Sequence, residues 1–432
     1  MPERAPFLGT PYGAYHCPDD LEPDAGLTRV GRGTPGGEYL RRFWHPIAYS
    51  SEVQDLPLRV RVLGEDLVLF RDLSGRVGLL QWRCAHRGTS LEFGLPSERG
   101  LRCCYHGWLF DVDGRILETP NEPPESTLRE RLCQGAYPAR DYQGLVFAYL
   151  GPPEHRPEFP VFDTFVLPAH TLVAAHKRVM PCNWVQIKEN SMDPVHTAFL
   201  HTRVTGTQFT PEFGELPEVE WRETPIGLIS VGTRRQGALA WVRISDLILP
   251  NMHQVPPIWE RGLEEKMFSR PTHINWAVPV DDTHTLRIGF VFRREEPGVD
   301  WDDFDRKIMF GQTDERPYAE RQRVPGDYEA QVGQGPVAVH ALEHLVSSDR
   351  GVLMFRKALR DGIRAVGEGR DPKGVVREPG RVLPTWAQDT VVRVPPAATP
   401  EADRRLLREI GARVAATRDS GLPEPSRGTA PR

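Results

Sequence analysis

Apolar and polar positions change their period along this chain, and the changes divide it. RVRVLGEDLVLFRD (59–72) and GRVGLLQWR (75–83) read as short hairpin strands, with the first turn expected at Gly64-Glu65-Asp66. The same texture runs through LRCCYHGWLFDVDGRIL (101–117), where Asp113-Gly114 marks a turn, and through GLVFAYLGPP (144–153). GPPEHRPEFP (151–160) reads as a linker, because its prolines exclude both helix and central strand. Beyond it, 226–250 and 273–292 alternate like strands, whereas 184–200, 301–311 and 336–365 have helical character. In 401–417, Leu406, Leu407, Ile410 and Val414 recur at helical spacing, which predicts one amphipathic docking helix.

Upstream, residues 1–26 read as an irregular arm, and TPGGEYLRRFW (34–44) as a short helix with Pro35 near its first position. The last fifteen residues are polar and expected to fray. The expectation is an α+β chain: an N-terminal arm and first helix (1–39), a small all-β domain (40–155), a larger α+β domain with an antiparallel sheet (156–395), and a C-terminal helix and tail (396–432).

Composition narrows the function classes. The 432 residues leave room for two or three domains, and 39% hydrophobic with 26% charged residues is the balance of a globular chain. With 54 basic and 59 acidic residues the net charge is −5, so no general attraction to nucleic acid or an anionic membrane is expected. No apolar run approaches a membrane span, and MPERAPFLGTPYGAYHCPDD lacks the features of a secretory signal, so the cytoplasm is the default compartment. Six cysteines are too few for a disulfide scaffold, yet Cys84, Cys103 and Cys104 crowd together with two histidines. In a reducing compartment that cluster points to metal.

Cys84-Ala85-His86 and Cys103-Cys104-Tyr105-His106 offer two thiolates and two imidazoles on short loops after expected strands. Gly88 and Gly107 lie beside them, where a chain wrapping closely around a group needs backbone freedom. This donor set fits a tetrahedral zinc ion or a [2Fe–2S] cluster with both histidines on one iron. Neutral histidine ligands raise such a cluster's potential from about −400 mV to about −150 to +300 mV, the range of an electron relay. The C-x2-H spacing selects Cys103, leaving Cys104 to pack as a small apolar residue.

A second constellation, NWVQIKENSMDPVHTAFLHT (183–202), gathers Glu189, Asn190, Asp193, His196 and His201. Two histidines with a carboxylate and open positions form the facial triad of non-haem Fe(II) oxygenases. His196 and His201 are five residues apart, roughly 140° around an ideal α-helix. They converge only through a π-type turn, or if His201 lies beyond the helix end.

CAHRGTSL and CCYHGWLFD resemble the two halves of the Rieske motif of Rieske non-haem iron ring-hydroxylating oxygenases, and LTRVGRGTPGGEYLRRFWHP resembles the phthalate dioxygenase branch. D-x-x-H-x4-H after N-W is similar to the mononuclear-iron motif of the same enzymes. The resemblance covers most of 27–365. It implies a Rieske [2Fe–2S] domain ligated by Cys84, His86, Cys103 and His106, followed by a helix-grip catalytic domain. It further implies mononuclear Fe(II) on His196 and His201, with Asp327, which precedes GQGPVAVHALEHLVSSD, as third ligand. Asp349 is the fallback, although its neighbour Arg350 points to an ordinary salt bridge.

By the same resemblance Asp193 bridges to a Rieske histidine of an adjacent subunit in a homotrimer, Asn190 lies near the iron, and Glu189 is structural. The implied activity is that of a terminal oxygenase. It would use O2, and electrons from NAD(P)H through a separate flavin and ferredoxin-type reductase, to hydroxylate, dihydroxylate or O-dealkylate an aromatic substrate. A phthalate-like diacid would require basic residues in the pocket, a role open to Arg235, to Arg243 or to neither. The alternatives are an electron-transfer Rieske protein without oxygenase activity, or a structural zinc module. Gly31-Arg32-Gly33-Thr34-Pro35-Gly36 matches a dinucleotide motif, but a proline interrupts it and no βαβ unit follows. WDDFD (301–305) reads as a solvated helix start, and ADRRLLREIGARV (402–414) as a surface helix rather than a nucleic-acid patch.

Overall fold

The computed structural model describes residues 21–120, 122–167, 171–259, 265–269, 271–293 and 309–419. The arm before residue 21, the helix start at WDDFD and the polar tail beyond 419 lie outside the described residues. None of the described helices is long and apolar enough to cross a membrane.

Thr34 caps the first of the expected helices, Pro35–Leu40, by accepting the Gly37 amide, with proline at the first position where its missing N–H costs nothing. From Trp44 to Tyr149 the chain then forms three small antiparallel sheets, one of three strands and two of four. The first hairpin turns at Leu63-Gly64, where φ is 50° and 78°, so Glu65 already pairs with Val62. The turn therefore falls earlier than expected, because two consecutive positive-φ residues match the strand twist. Val68, Phe70, Leu80, Leu91, Leu101, Trp108, Phe110 and Ile116 form a separate small core, and it includes Cys84 and Cys103.

The segment 151–160 is fastened rather than loose. The Trp44 indole donates to the Pro157 carbonyl (3.2 Å), and Phe159 packs edge-on against Trp44 and Phe147.

The larger part is built on one nine-stranded antiparallel sheet. Its strands are β1 (Thr171–Met180), β2 (Glu218–Glu223), β3 (Gly227–Gln236), β4 (Leu239–Ile248), β5 (Met252–Val255), β6 (Lys266–Ser269), β7 (His273–Pro279), β8 (Thr285–Arg293) and β9 (Gln388–Arg393). They run in the order β1-β8-β7-β5-β4-β3-β2, with β9 pairing β4 and β6. Among the described residues, α1 (Trp184–Ser191), α2 (Asp327–Val332), α3 (Arg350–Gly367) and α4 (Pro400–Asp419) pack around it.

Period-two alternation gives the sheet two unlike faces. Along β3, Val231 and Thr233 meet α4, which comes so close that a Cβ on Gly411 would lie 2.4 Å from Thr233 Oγ1. Leu407, Ile410, Val414 and Ala415 of α4 are buried there, each large side chain contributing about 1.5–3 kcal/mol. The intervening residues Ser230, Gly232 and Arg234 face a cavity of about 330 Å³ on the other side.

The helix expected over 336–365 begins only at Arg350. Residues 336–349 instead wrap α1 through irregular backbone and short turns. Asn183 N–H donates to the Pro336 carbonyl (2.8 Å), and Ala338 N–H to Gln186 Oε1 (2.9 Å). Side chains and termini of α1 take the backbone partners that a helix would have found internally.

Candidate functional site: two histidine-bearing metal sites

Two loops present the cysteine–histidine pairs, and their backbones follow one plan. In the first, Gly88 N–H donates to the Cys84 carbonyl (2.8 Å) and Cys84 N–H to the Thr89 carbonyl (2.9 Å). In the second, Gly107 N–H donates to the Cys103 carbonyl (3.1 Å) and Cys103 N–H to the Trp108 carbonyl (2.8 Å). Gly88 and Gly107 sit at φ 76° and 74°, a conformation that L side chains rarely adopt. Gln134 locks the first loop, donating to the Gln81 and Arg83 carbonyls and accepting the Ala85 amide.

Both cysteines are buried while His86 is exposed and His106 half-buried, their rings 4.5 Å apart, with His86 stacked on Trp108. Burial pushes the Cys84 thiol up to about 11, and adjacent Cys103 adds to the rise, so the thiolate form would need a bound cation to persist there. Among the described residues, no three of these four ligand atoms lie within 4.8 Å of one another. One tetrahedral ion needs all four within about 4 Å. Thiols grouped at the base and imidazoles at the tip fit a two-iron cluster instead. Cys104 is exposed rather than packed, because its loop points it outward from the small core.

The second site starts at α1. Asn183 caps that helix, accepting the Val185 amide (3.0 Å) and donating to the Thr28 and Asp282 carbonyls, while Trp184 packs edge-on against Phe355. After α1 the chain breaks, and Asp193 Oδ1 restarts it by accepting the Val195 (2.8 Å) and His196 (3.3 Å) amides. A short helical turn at His196–Ala198 then widens into a π-turn over Phe199–Arg203. That turn is one of the two ways H-x4-H can converge, and the rings stand 5.2 Å apart.

Asp327 opens α2 and reaches both histidines, its Oδ1 lying 3.7 Å from His196 Nε2 and 3.4 Å from His201 Nε2. Gly326 takes the cap position of that helix, so the Asp327 side chain is not spent on capping it. The ligand atoms of His196, His201 and Asp327 all lie within 4.8 Å of one another.

Surrounding hydrogen bonds set the donor geometry. Gln208 donates its amide to the Leu200 and Pro325 carbonyls and to Thr205 Oγ1, so its Oε1 accepts His201 Nδ1–H at 3.0 Å. His196 Nδ1–H donates to the Asp193 carbonyl. Both Nε2 lone pairs are thereby free to face Asp327. Asn190 donates to Asp327 Oδ1 (3.1 Å), Gln312 to Oδ2 (2.5 Å), and Arg287 to Gln312 (3.0 Å). Burial opposes the charged form of Asp327, but His201, His196 and Gln312 hold its carboxyl well below the usual range. Burial draws His196 down, whereas Asp327 lifts His201 despite burial.

The remaining sequence candidates fall elsewhere. Asp193 Oδ2 stands 3.8 Å from His196 Nδ1 on a partly exposed carboxylate. Glu189 joins His340 and Glu343 in a second acidic group, but the Arg356 guanidinium fills it, bonding Glu189 (2.5 Å) and Glu343 (2.5 and 2.8 Å). Asp349 accepts the Val346 amide instead of pairing with Arg350 and takes no part in the His196–His201 group. Arg235 is outside the cavity, bound to Asp403, whereas Arg243 lines it. Their neighbours in sequence alternate faces, so one register choice decides which arginine enters. Gln208, Gln312, Arg178 and Arg287 were missed, since single polar residues outside the motif carry no local signal.

The model of the Rieske [2Fe-2S] domain matches residues 43–137. The chain is 44% identical to the tert-butanol monooxygenase / tert-amyl alcohol desaturase oxygenase subunit of Aquincola tertiaricarbonis, over 96% of this chain and 93% of that protein. It is 42% identical to the phenoxybenzoate dioxygenase subunit alpha of Ectopseudomonas oleovorans, over 86% and 91%.

The chain belongs to the Rieske non-haem iron oxygenases.

It is an α subunit, the terminal oxygenase component, of the phthalate dioxygenase-like branch. Its fold matches that of a caffeine-bound NdmA variant from Pseudomonas putida CBB5, with a TM-score of 0.61 at 22% identity over 80% of this chain and 99% of that one. The oxygenase therefore combines a Rieske [2Fe–2S] domain with a second site able to hold a single metal ion. The electron-transfer reading and the zinc-module reading both give way.

Proposed function

We propose that this oxygenase inserts oxygen from O2 into an organic substrate held in the 330 Å³ cavity, at a single iron held by His196, His201 and Asp327. The observation that carries the reading is the convergence of those three side chains on the wall of that cavity. When bound, the iron offers open positions for O2 and the cluster supplies electrons one at a time. Cys84, Cys103, His86 and His106 would hold the cluster. Gln208 and the Asp193 carbonyl keep the two Nδ1 protons in place, and Asn190 and Gln312 orient an ionised Asp327. Phe209, Phe213 and Trp259 line part of the cavity, limit water there and offer faces to an apolar body.

Electrons would come from NAD(P)H through a separate reductase. In this reading the partly exposed Asp193 carboxylate would meet a Rieske histidine of a neighbouring subunit in a homotrimer. An aromatic substrate agrees with the phenoxybenzoate of one relative's name, and a branched alcohol with the other.

Iron and acid-labile sulfide per chain test the reading, together with product formation using a surrogate reductase. About three irons and two sulfides with O2-dependent product are expected. About two irons and two sulfides without product would overturn it.

A further inference from the structure

Asp327 reaches the triad from a distant segment, and the backbone beneath it is held from outside its own helix. Helix α2 has six residues, less than two turns, which is too short to set its own direction. Its course depends on what grips its first turn. The Pro325 carbonyl accepts the Gln208 amide (2.8 Å), and Tyr328 N–H donates to the Gly311 carbonyl (3.0 Å). Gly326 lies so close to Gly311 that a Cβ there would stand 2.3 Å from the Gly311 carbonyl oxygen.

Glu329 adds a further grip. Its Oε2 accepts the Gly326 N–H (2.7 Å) and Arg316 (3.2 Å), and its Oε1 accepts Arg321 (2.7 Å). The side chains of Glu329, Arg316 and Arg321 are 16%, 13% and 22% exposed, so water and salt screen these pairs less than at an open surface. Arg316 also donates to the Val324 carbonyl (2.8 Å) and lies over the Phe310 ring at 4.7 Å, while Arg321 lies over Tyr328 at 5.1 Å. One carboxylate therefore closes the excursion from Phe310 to Tyr328. That excursion carries Gln312 and Asp327, which bond each other, and Asp327 in turn faces His196 and His201.

Glu329 does not line the cavity and does not belong to the His196–His201–Asp327 group. It acts one step further out, on the amide of the residue just before the ligand. Neutralising it would leave Arg316 and Arg321 facing each other without their shared counter-ion, and their repulsion would spread the turn from which Asp327 projects.

On the reading that iron sits on His196, His201 and Asp327, we infer that Glu329, clamped between Arg316 and Arg321, is a positioning residue that sets the reach of Asp327 to the metal. Asn190 and Gln312 orient the Asp327 carboxylate itself, whereas Glu329 holds the backbone that carries it. A metal ligand must be held to within about 0.5 Å, so a modest movement of that turn weakens the site.

The test uses the full-length protein loaded with cluster and iron. Chelator competition reads the affinity of the triad for iron, and the electron paramagnetic resonance signal of the ferrous site with nitric oxide reads its geometry. Glu329→Ala should weaken triad iron about tenfold or more and alter that signal, with the cluster's visible spectrum unchanged. Glu329→Gln should act in the same direction but less, since one carbonyl oxygen still accepts the Gly326 amide. Arg321→Gln should weaken iron as well, and combined with Glu329→Gln it should add less than its separate effect, because both break one contact. Glu320→Gln, an exposed carboxylate 4.0 Å from Arg316, should leave affinity and signal as they are.

A merely structural role would lower the melting temperature of Glu329→Ala and leave affinity and signal at their unaltered values, and that result overturns the proposal. If Glu329→Ala does not fold, Glu329→Gln and Arg321→Gln decide, and unchanged affinity and signal in both overturns it. Iron counted on the unaltered protein keeps the two claims apart. About three irons per chain with no effect of these substitutions removes only the positioning role, whereas about two irons removes the iron reading and the positioning role with it.

Discussion

The cluster loops and the His196–His201–Asp327 group both present two histidines, yet they are built by opposite strategies. Each loop is complete within six residues, from Cys84 to Thr89 and from Cys103 to Trp108, with one glycine and two backbone hydrogen bonds closing it. The second site draws on a broken helix, a π-turn and the start of a helix far along the chain, since Asn190 and Asp327, joined by a hydrogen bond, are 137 residues apart. The cluster loops carry their geometry in local sequence and stand half in water. The triad is more enclosed, with His201 buried and His196 and Asp327 partly so, and its geometry is imposed by packing from several elements. Damage to either site should therefore leave the other intact, and the size of each effect should follow how many elements share the load.

The largest effect is expected from Asp327→Ala, which removes the ligand contributed by the most distant segment. Iron should fall from about three to about two per chain with sulfide unchanged, and product formation should cease. Retained iron would mean that another carboxylate closes the site. Cys103→Ser comes next. Acid-labile sulfide and visible absorption should vanish, and the small domain should melt earlier, while the triad still takes up one iron. Simultaneous loss of both metals would break the comparison.

Gln208→Leu should weaken triad iron about 10- to 100-fold in a chelator competition, because His201 loses the acceptor that fixes its tautomer. The cluster spectrum should not change. The smallest effect is expected from Gly107→Ala. With φ at 74° and Pro120 Cγ 3.3 Å from the new Cβ, it should cost the small domain about 1–2 kcal/mol in denaturant unfolding. An equal loss at a glycine with ordinary φ, such as Gly31, would show that loop conformation is not the cause.

Much of this contrast was legible in the residues, and what was not has physical causes. The short helix at Pro35, the alternation in β3, β4, β7 and β8 and the heptad-like spacing of α4 each arise from local rules, and each element formed near its expected place. Helix α3 began fourteen residues late, because the Pro336 carbonyl and the Ala338 amide bond α1 and its cap, far away in sequence, and 339–349 closes short local turns. Cys104 went outward although its composition allowed burial, because the loop aims Cys103 inward and its neighbour away.

Residue identity and spacing by themselves pointed to the thiolate and imidazole donors of the first site, since those groups have few uses at such spacings and both loops close over a handful of residues. They determined as well that His196 and His201 cannot meet on a regular α-helix, because five residues do not return to the same side; the structure chose the π-turn over the other route, a helix end before His201. Only the tertiary structure decided that Asp327 rather than Asp349 stands beside them, that Arg243 rather than Arg235 faces the cavity, and that Arg178 and Arg287 stand opposite each other across β1 and β8. A period of two tells which residues share a face of a strand. Which face meets a helix and which meets a cavity is settled by the packing of elements that the chain brings together from far apart.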